Sequence, residues 1–268
     1  MDVAGDEFAK RSSAFGAAIN GTYLSTEALL NALYDAGAGQ AMAAVQQVAL
    51  TIEPPARFES EHELWLALLE EMVRLDVLIG EAARDGDIIA FELNNHLLGL
   101  AQTDAASGFS PEFAATIGTP PGRLDPESAL AATPYGPELD AVVRSSITGT
   151  YAFLSTSQEA VLETIPLIAP EFRARIEDSR ASVEALTPPE EYTSDHAAVL
   201  EYFDALLAHQ DAIDAALDAG DVGVLMTLIA SEATEDIRCA TAANLSDEVA
   251  LLVTDIDHSV EPPPFCSE

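Results

Sequence analysis

Residues 54–87 read PPARFESEHELWLALLEEMVRLDVLIGEAARDGD, and residues 188–221 read PPEEYTSDHAAVLEYFDALLAHQDAIDAALDAGD. The two stretches align without a gap at an offset of 134, with nine identities in 34 positions. The identities fall where backbone geometry is set: Pro54-Pro55 with Pro188-Pro189, Ser60 with Ser194, His62 with His196, and Gly86-Asp87 with Gly220-Asp221. Proline cannot donate to a helical ladder, so each Pro-Pro pair ends the helix before it. Each Gly-Asp pair suits a left-handed helix stop followed directly by the N-cap of the next helix. Between these marks, Leu64, Trp65, Leu68, Leu69, Met72, Leu75, Leu78, Ile79 and Ala82 recur at the spacing of one buried helical face. Leu200, Phe203, Leu206, Leu207, Ile213 and Leu217 do the same in the second stretch.

A shorter match lies upstream, where Ile19-Asn20-Gly21-Thr22-Tyr23 pairs with Ile147-Thr148-Gly149-Thr150-Tyr151 at an offset of 128. Two collinear matches predict an all-α protein made by tandem duplication of an antiparallel four-helix unit. About eight helices then form two bundles or one merged bundle. The first unit is expected over 1–107, its third helix framed by Pro54-Pro55 and Gly86. The second is expected over 137–256, with helices near 137–163, 168–186, 192–219 and 222–254. Residues 107–137 hold ten Pro or Gly, so 108–136 reads as a linker, and 257–268 as a Pro-rich tail. Composition agrees with helix: 49% of residues are apolar but only 6% aromatic, and runs of Val, Ile, Thr and Tyr are missing.

Charge narrows the partners. There are 46 acidic and 11 basic residues, a formal net charge of -35, and Lys10 is the only lysine. The excess runs through both halves, with 20 acids and 6 bases in 1–134 and 26 and 5 in 135–268. A negative surface of this kind repels phosphate backbones and anionic headgroups, which argues against nucleic acid and membrane-surface binding. It attracts cations diffusely and suits a high-salt setting. No apolar run reaches the roughly 20 residues a membrane-spanning helix needs. Met1-Asp2-Val3-Ala4-Gly5-Asp6-Glu7 is acidic and lacks the basic and apolar regions of an export signal.

Two cysteines bear on location. Cys239 falls in the last expected helix and Cys266 in the tail Glu261-Pro262-Pro263-Pro264-Phe265-Cys266. A disulfide between them would tack the tail onto the bundle and place the protein in an oxidising, extracytoplasmic compartment. Two unrelated thiols are the alternative.

No catalytic constellation stands out. His62 and His196 hold the same place in the two stretches, and with Glu59 and neighbouring acids they are candidate metal ligands. The competing explanation is that each imidazole packs under its Pro-Pro turn, since a duplicated element carries its packing residues with it. Glu59-x-x-His62 has the spacing of half a di-iron carboxylate motif, but Thr193 stands at the matching position of the second stretch. Met72 and His96 lie on consecutive helices without a haem-attachment motif. Ser194-Asp195-His196 holds the residue types of a hydrolase triad, yet consecutive helical residues point apart. No phosphate loop or nucleophile elbow is present. Glu201, Asp204, Asp211, Asp214, Asp218 and Asp221 form an acidic row read as a solvated face. The expectation is a non-enzymatic, extracytoplasmic protein without cofactor that binds a partner or small ligand, perhaps between the units. The rivals are a metal-binding protein or metalloenzyme built on His62 and His196, and a structural surface or assembly component.

Overall fold

The computed structural model describes residues 25–37, 39–117, 124–125, 127–146, 158–256 and 266. Both copies of the Ile-x-Gly-Thr-Tyr block lie outside the described residues. The described residues are all-helical, without a strand. Eleven α-helices follow in order: α1 Thr26–Asp35, α2 Ala41–Ala49, α3 Glu59–Asp85, α4 Ile88–Ser107, α5 Pro111–Ile117, α6 Tyr135–Ser145, α7 Gln158–Ala185, α8 Thr193–Ala219, α9 Val222–Leu228, α10 Ser231–Ala242 and α11 Asp247–Thr254. Short 3-10 turns, Ala56–Phe58 and Glu190–Tyr192, lead into α3 and α8. The chain divides into two compact units, one of residues 1–113 with 153–168, the other of 114–152 with 169–268.

The framing residues behave as their chemistry requires. Gly86 (φ 75°) and Gly220 (φ 63°) are left-handed stops. In each, the next residue's amide reaches back to a carbonyl five positions earlier: Asp87 to Ala82 and Asp221 to Ala216, both at 2.9 Å. Asp87 then accepts from the Ala90 amide at 3.0 Å and Asp221 from Val224 at 3.1 Å, starting the following helix at once. Both 3-10 turns seat one aromatic ring in the core, Phe58 and Tyr192. Along the long helices the buried positions coincide at the same offset: Leu69 with Phe203, Met72 with Leu206, Asp76 with Gln210, Ile79 with Ile213 and Ala82 with Ala216.

Several boundaries depart from the sequence reading. Leu64 is exposed rather than part of the buried face. Residues 222–254 form three short helices instead of one. The expected break between 163 and 168 is absent, because α7 runs through Pro166 and Pro170. Each proline removes one donor from the ladder, yet Ile165, Ile168 and Phe172 around them are buried, and that packing sustains the helix. The segment read as linker contains α5 and the start of α6, and it places Leu130 and Tyr135 in the second unit's core.

The first unit's core gathers Leu29, Leu30 and Leu33 of α1 with Ile79, Ala82, Ala83 and Phe91. Asp76, a carboxylate inside the apolar face of α3, accepts from the amides of Gly39 (3.0 Å) and Met42 (3.1 Å) and so caps α2 from outside. Gly39 sits at φ 89°, and a Cβ there would meet Gly80 Cα at 2.9 Å. Only glycine fits that crossing.

Candidate functional site

The two repeated histidines are each absorbed by their own unit. His62 is buried, its ring edge-on to Trp65 at 5.7 Å, in an aromatic group with Phe58, Phe109 and Phe113. Its Nε2 has no hydrogen-bond partner among the described residues. His196 shares a hydrogen bond between Nδ1 and the Tyr135 hydroxyl at 3.2 Å. Burial depresses the His196 pKa and pushes the Tyr135 phenol up to about 12, so both groups are neutral near pH 7. Glu59 is exposed on the first turn of α3. Among the described residues no group of three or more His, Cys, Asp or Glu side chains is arranged to hold a metal ion. Burial also drives His96 of α4 down to about 4.

What surrounds each histidine is a carboxylate latch. Glu61 accepts from the Ser110 amide at 2.6 Å, and Asp195 accepts from the Ser246 amide at 2.6 Å. Ser110 precedes α5 and Ser246 precedes α11, so each acid in the first turn of a long helix holds the start of a later short one. Next to each serine a glutamate grips the 3-10 turn: Glu112 pairs with Arg57 at 2.6 Å, and Glu248 accepts from the Tyr192 hydroxyl at 3.2 Å. The sequence signal for this is Phe109-Ser110-Pro111-Glu112-Phe113-Ala114 against Leu245-Ser246-Asp247-Glu248-Val249-Ala250, at an offset of 136. It is a third collinear match that the sequence reading passed over.

The acidic row on α8 divides by function. Arg173 of α7 pairs with Asp211 and, at 3.0 Å, with Asp214, while Arg180 pairs with Asp204 at 2.6 Å. Asp221 is spent as an N-cap. So half of a face read as merely solvated is an ion-pair rail between two helices. Glu201, three residues before Asp204, is not part of the rail. It lies in a groove of about 390 Å³ within the second unit, with Ala198 and Ala205 on the α8 wall and Asp236, Ile237 and Ala240 on the α10 wall. Thr241 and Asn244 also line it. Neither Glu201 nor Asp236 has an ion-pair or hydrogen-bond partner among the described residues. The groove therefore offers two uncompensated carboxylates, one per wall, above alanine and isoleucine side chains.

Cys239 and Cys266 are joined by a disulfide, with Cα atoms 5.6 Å apart and a sequence separation of 27. Cys239 lies on α10, the helix that supplies the second wall of the groove. Among the described residues no helix is long and apolar enough to cross a membrane. Compared with known proteins, the chain matches no family model, no curated protein and no solved structure.

Proposed function

We propose that the protein is a non-enzymatic, extracytoplasmic helical binding protein that arose by tandem duplication of one helical unit. Its ligand is a small amphipathic cation taken into the α8/α10 groove. The observation that carries this is the pairing pattern. Asp204, Asp211 and Asp214 of α8 are matched by arginines, whereas Glu201 and Asp236 line the groove unmatched. A cavity of a few hundred Å³ with an apolar lining and a few convergent polar groups is the usual form of a small-molecule site. An organic ammonium would meet a carboxylate from each wall while its hydrocarbon body covers Ala198, Ala205, Ile237 and Ala240. The net charge of -35 raises the local concentration of such cations.

The duplication rests on the shared offset of the long helices, the repeated Gly-Asp junctions and the repeated carboxylate–serine latch. Location outside the cytoplasm rests on the disulfide, which persists in oxidising compartments. Titration calorimetry with benzyltrimethylammonium tests the ligand reading. Saturable binding is expected, weakened at least tenfold by Glu201→Gln with Asp236→Asn, and absent for neutral neopentylbenzene. Equal uptake of the cation and the neutral analogue would reject it.

A further inference from the structure

We propose that Asn244 is an N-glycosylation acceptor: the turn between α10 and α11 presents it, as the first residue of Asn244-Leu245-Ser246, to a transfer enzyme outside the cytoplasm. The assignment rests on the extracytoplasmic reading above, and the experiment below separates the two. Transfer to an asparagine amide needs a hydroxyl residue two positions on and any residue but proline between. The chain has five asparagines. Two meet that rule, Asn244 and Asn20 of Asn20-Gly21-Thr22, a block that lies outside the described residues. Asn31 is exposed too, but Leu33 stands two positions after it.

The geometry around Asn244 suits a bulky substituent. Its backbone amide donates to the Thr241 carbonyl at 2.9 Å and that of Leu245 to Ala242 at 3.1 Å, so Asn244 sits in the turn just past the end of α10. Leu245 is buried and anchors this turn, while Asn244 and Ser246 on either side of it are exposed. The Asn244 Nδ2 donates one of its two hydrogens to the Ala240 carbonyl at 2.9 Å. The other has no partner among the described residues, so a sugar can replace it without costing the Ala240 bond. Asn244 also lines the α8/α10 groove. The sugar therefore stands beside whatever the groove holds, but the assignment needs no ligand there.

The duplication separates this role from the latch. At the offset of 136, Ser246 corresponds to Ser110 and Asn244 to Gly108. Both serines donate their amides to an acid of a long helix, so the latch accounts for the serine in each unit but calls for no asparagine before it. The other motif has the same asymmetry: Thr22 matches Thr150, whereas Asn20 corresponds to Thr148. Each motif thus consists of one unit-specific asparagine ahead of a hydroxyl residue that both copies carry. In the transfer, Nδ2 of Asn244 displaces phosphate from C1 of a lipid-phosphate-linked oligosaccharide. The C1–Nδ2 bond forms, and the C1–O bond breaks with its electron pair leaving on the lipid phosphate. One Nδ2 proton passes to a base of the transfer enzyme. The Ser246 hydroxyl is recognised but not consumed, so it remains able to donate to Asp195.

Mass spectrometry of the protein isolated from fractionated cells that encode it tests the assignment. Arg238 is the last Lys or Arg of the chain, so trypsin releases 239–268 with Asn244 as its only asparagine. The exported protein should yield this peptide with an added sugar mass that fragmentation places on Asn244. Asn244→Gln, which leaves the latch intact, should remove that mass. Ser246→Thr should retain the sugar and Ser246→Ala should lose it; Ser246→Ala also gives up a latch bond, so Asn244→Gln decides if that variant fails to fold. A bare peptide from the exported protein overturns the assignment and leaves the extracytoplasmic reading standing. A sugar that persists in Asn244→Gln overturns it as well. Protein found only in the cytoplasm rejects the location reading and the glycosylation with it.

Discussion

Asp195 holds Ser246 at two points, accepting from its amide at 2.6 Å and from its hydroxyl at 3.1 Å. The carboxylate is buried and lies 51 residues before its partner, so the contact joins the start of α8 to the start of α11. Removing a buried charged acceptor leaves two donors without partners, at a cost of about 2–3 kcal/mol. Asp195→Ala should therefore lower unfolding stability by about that amount in urea titration. Ser246→Ala, which loses only the hydroxyl bond, should cost about 1 kcal/mol. Equal effects of the two variants would show that the latch does not act through the amide.

The disulfide joins two residues with a sequence separation of 27. In the chain-entropy model a loop of that size stabilises by about 3–4 kcal/mol. Thermal unfolding of Cys239→Ser with Cys266→Ser should reveal a loss of that order. A loss below about 1 kcal/mol would mean that the bond constrains the unfolded chain very little.

Salt should act in two opposite directions. The Arg173 and Arg180 pairs are partly exposed, with side-chain exposures of 30% and 31%. Each is accordingly expected to contribute only about 0.5–1 kcal/mol at low salt and less when screened. The self-repulsion of 46 acids is screened at the same time, and it involves many more charges. The melting temperature should therefore rise from dilute buffer to about 1 M NaCl, with screening complete near a Debye length of about 3 Å. The deficit of Arg173→Gln with Arg180→Gln should shrink over the same range. A melting temperature that falls with salt would show that the rail outweighs the repulsion.

Acid should weaken the first unit through His96. Burial pushes its pKa down to about 4, against about 6.5 in an unfolded chain. Between those values the unfolded state binds the proton and the folded state does not, so stability falls as pH drops through the window. From pH 7 to pH 5 the contribution is about 1–2 kcal/mol. Burial depresses His196 and His209 as well, the latter partly offset by the Leu228 carbonyl, so their effects share this sign. His96→Gln should flatten the urea midpoint between pH 7 and 5 relative to wild type. Parallel curves for the two proteins would locate the acid sensitivity elsewhere.

How far the sequence revealed all this differs by element. α3 and α8 were legible to within a few residues because their limits are stereochemical: a Pro-Pro pair in front and a Gly-Asp pair behind. The breaks within 222–254 were not, since Ala230 and Ala243 flank them without a Gly or Pro, and Ser246 as the start of α11 was overlooked. Continuity of α7 through Pro166 and Pro170 depends on packing that local rules do not contain. Asp76 could have been noticed as a charge interrupting an apolar face, but its partners at Gly39 and Met42 are more than 30 residues away. The cysteine pairing followed from there being two. The groove was beyond reach, because it depends on which acids of α8 the arginines of α7 neutralise.

The Gly86-Asp87 and Gly220-Asp221 junctions set a boundary condition on evolution. Each ends one helix and begins the next within two residues, with four of the surrounding amides already committed. A single inserted residue would turn the following helix by about 100° and carry its buried side chains, Phe91 or Leu225, toward water. Drift in length is thereby forbidden at the hairpins and displaced into the stretches between them. Such a chain can acquire new loops and new surfaces freely, but only at places that leave these two corners at their present span.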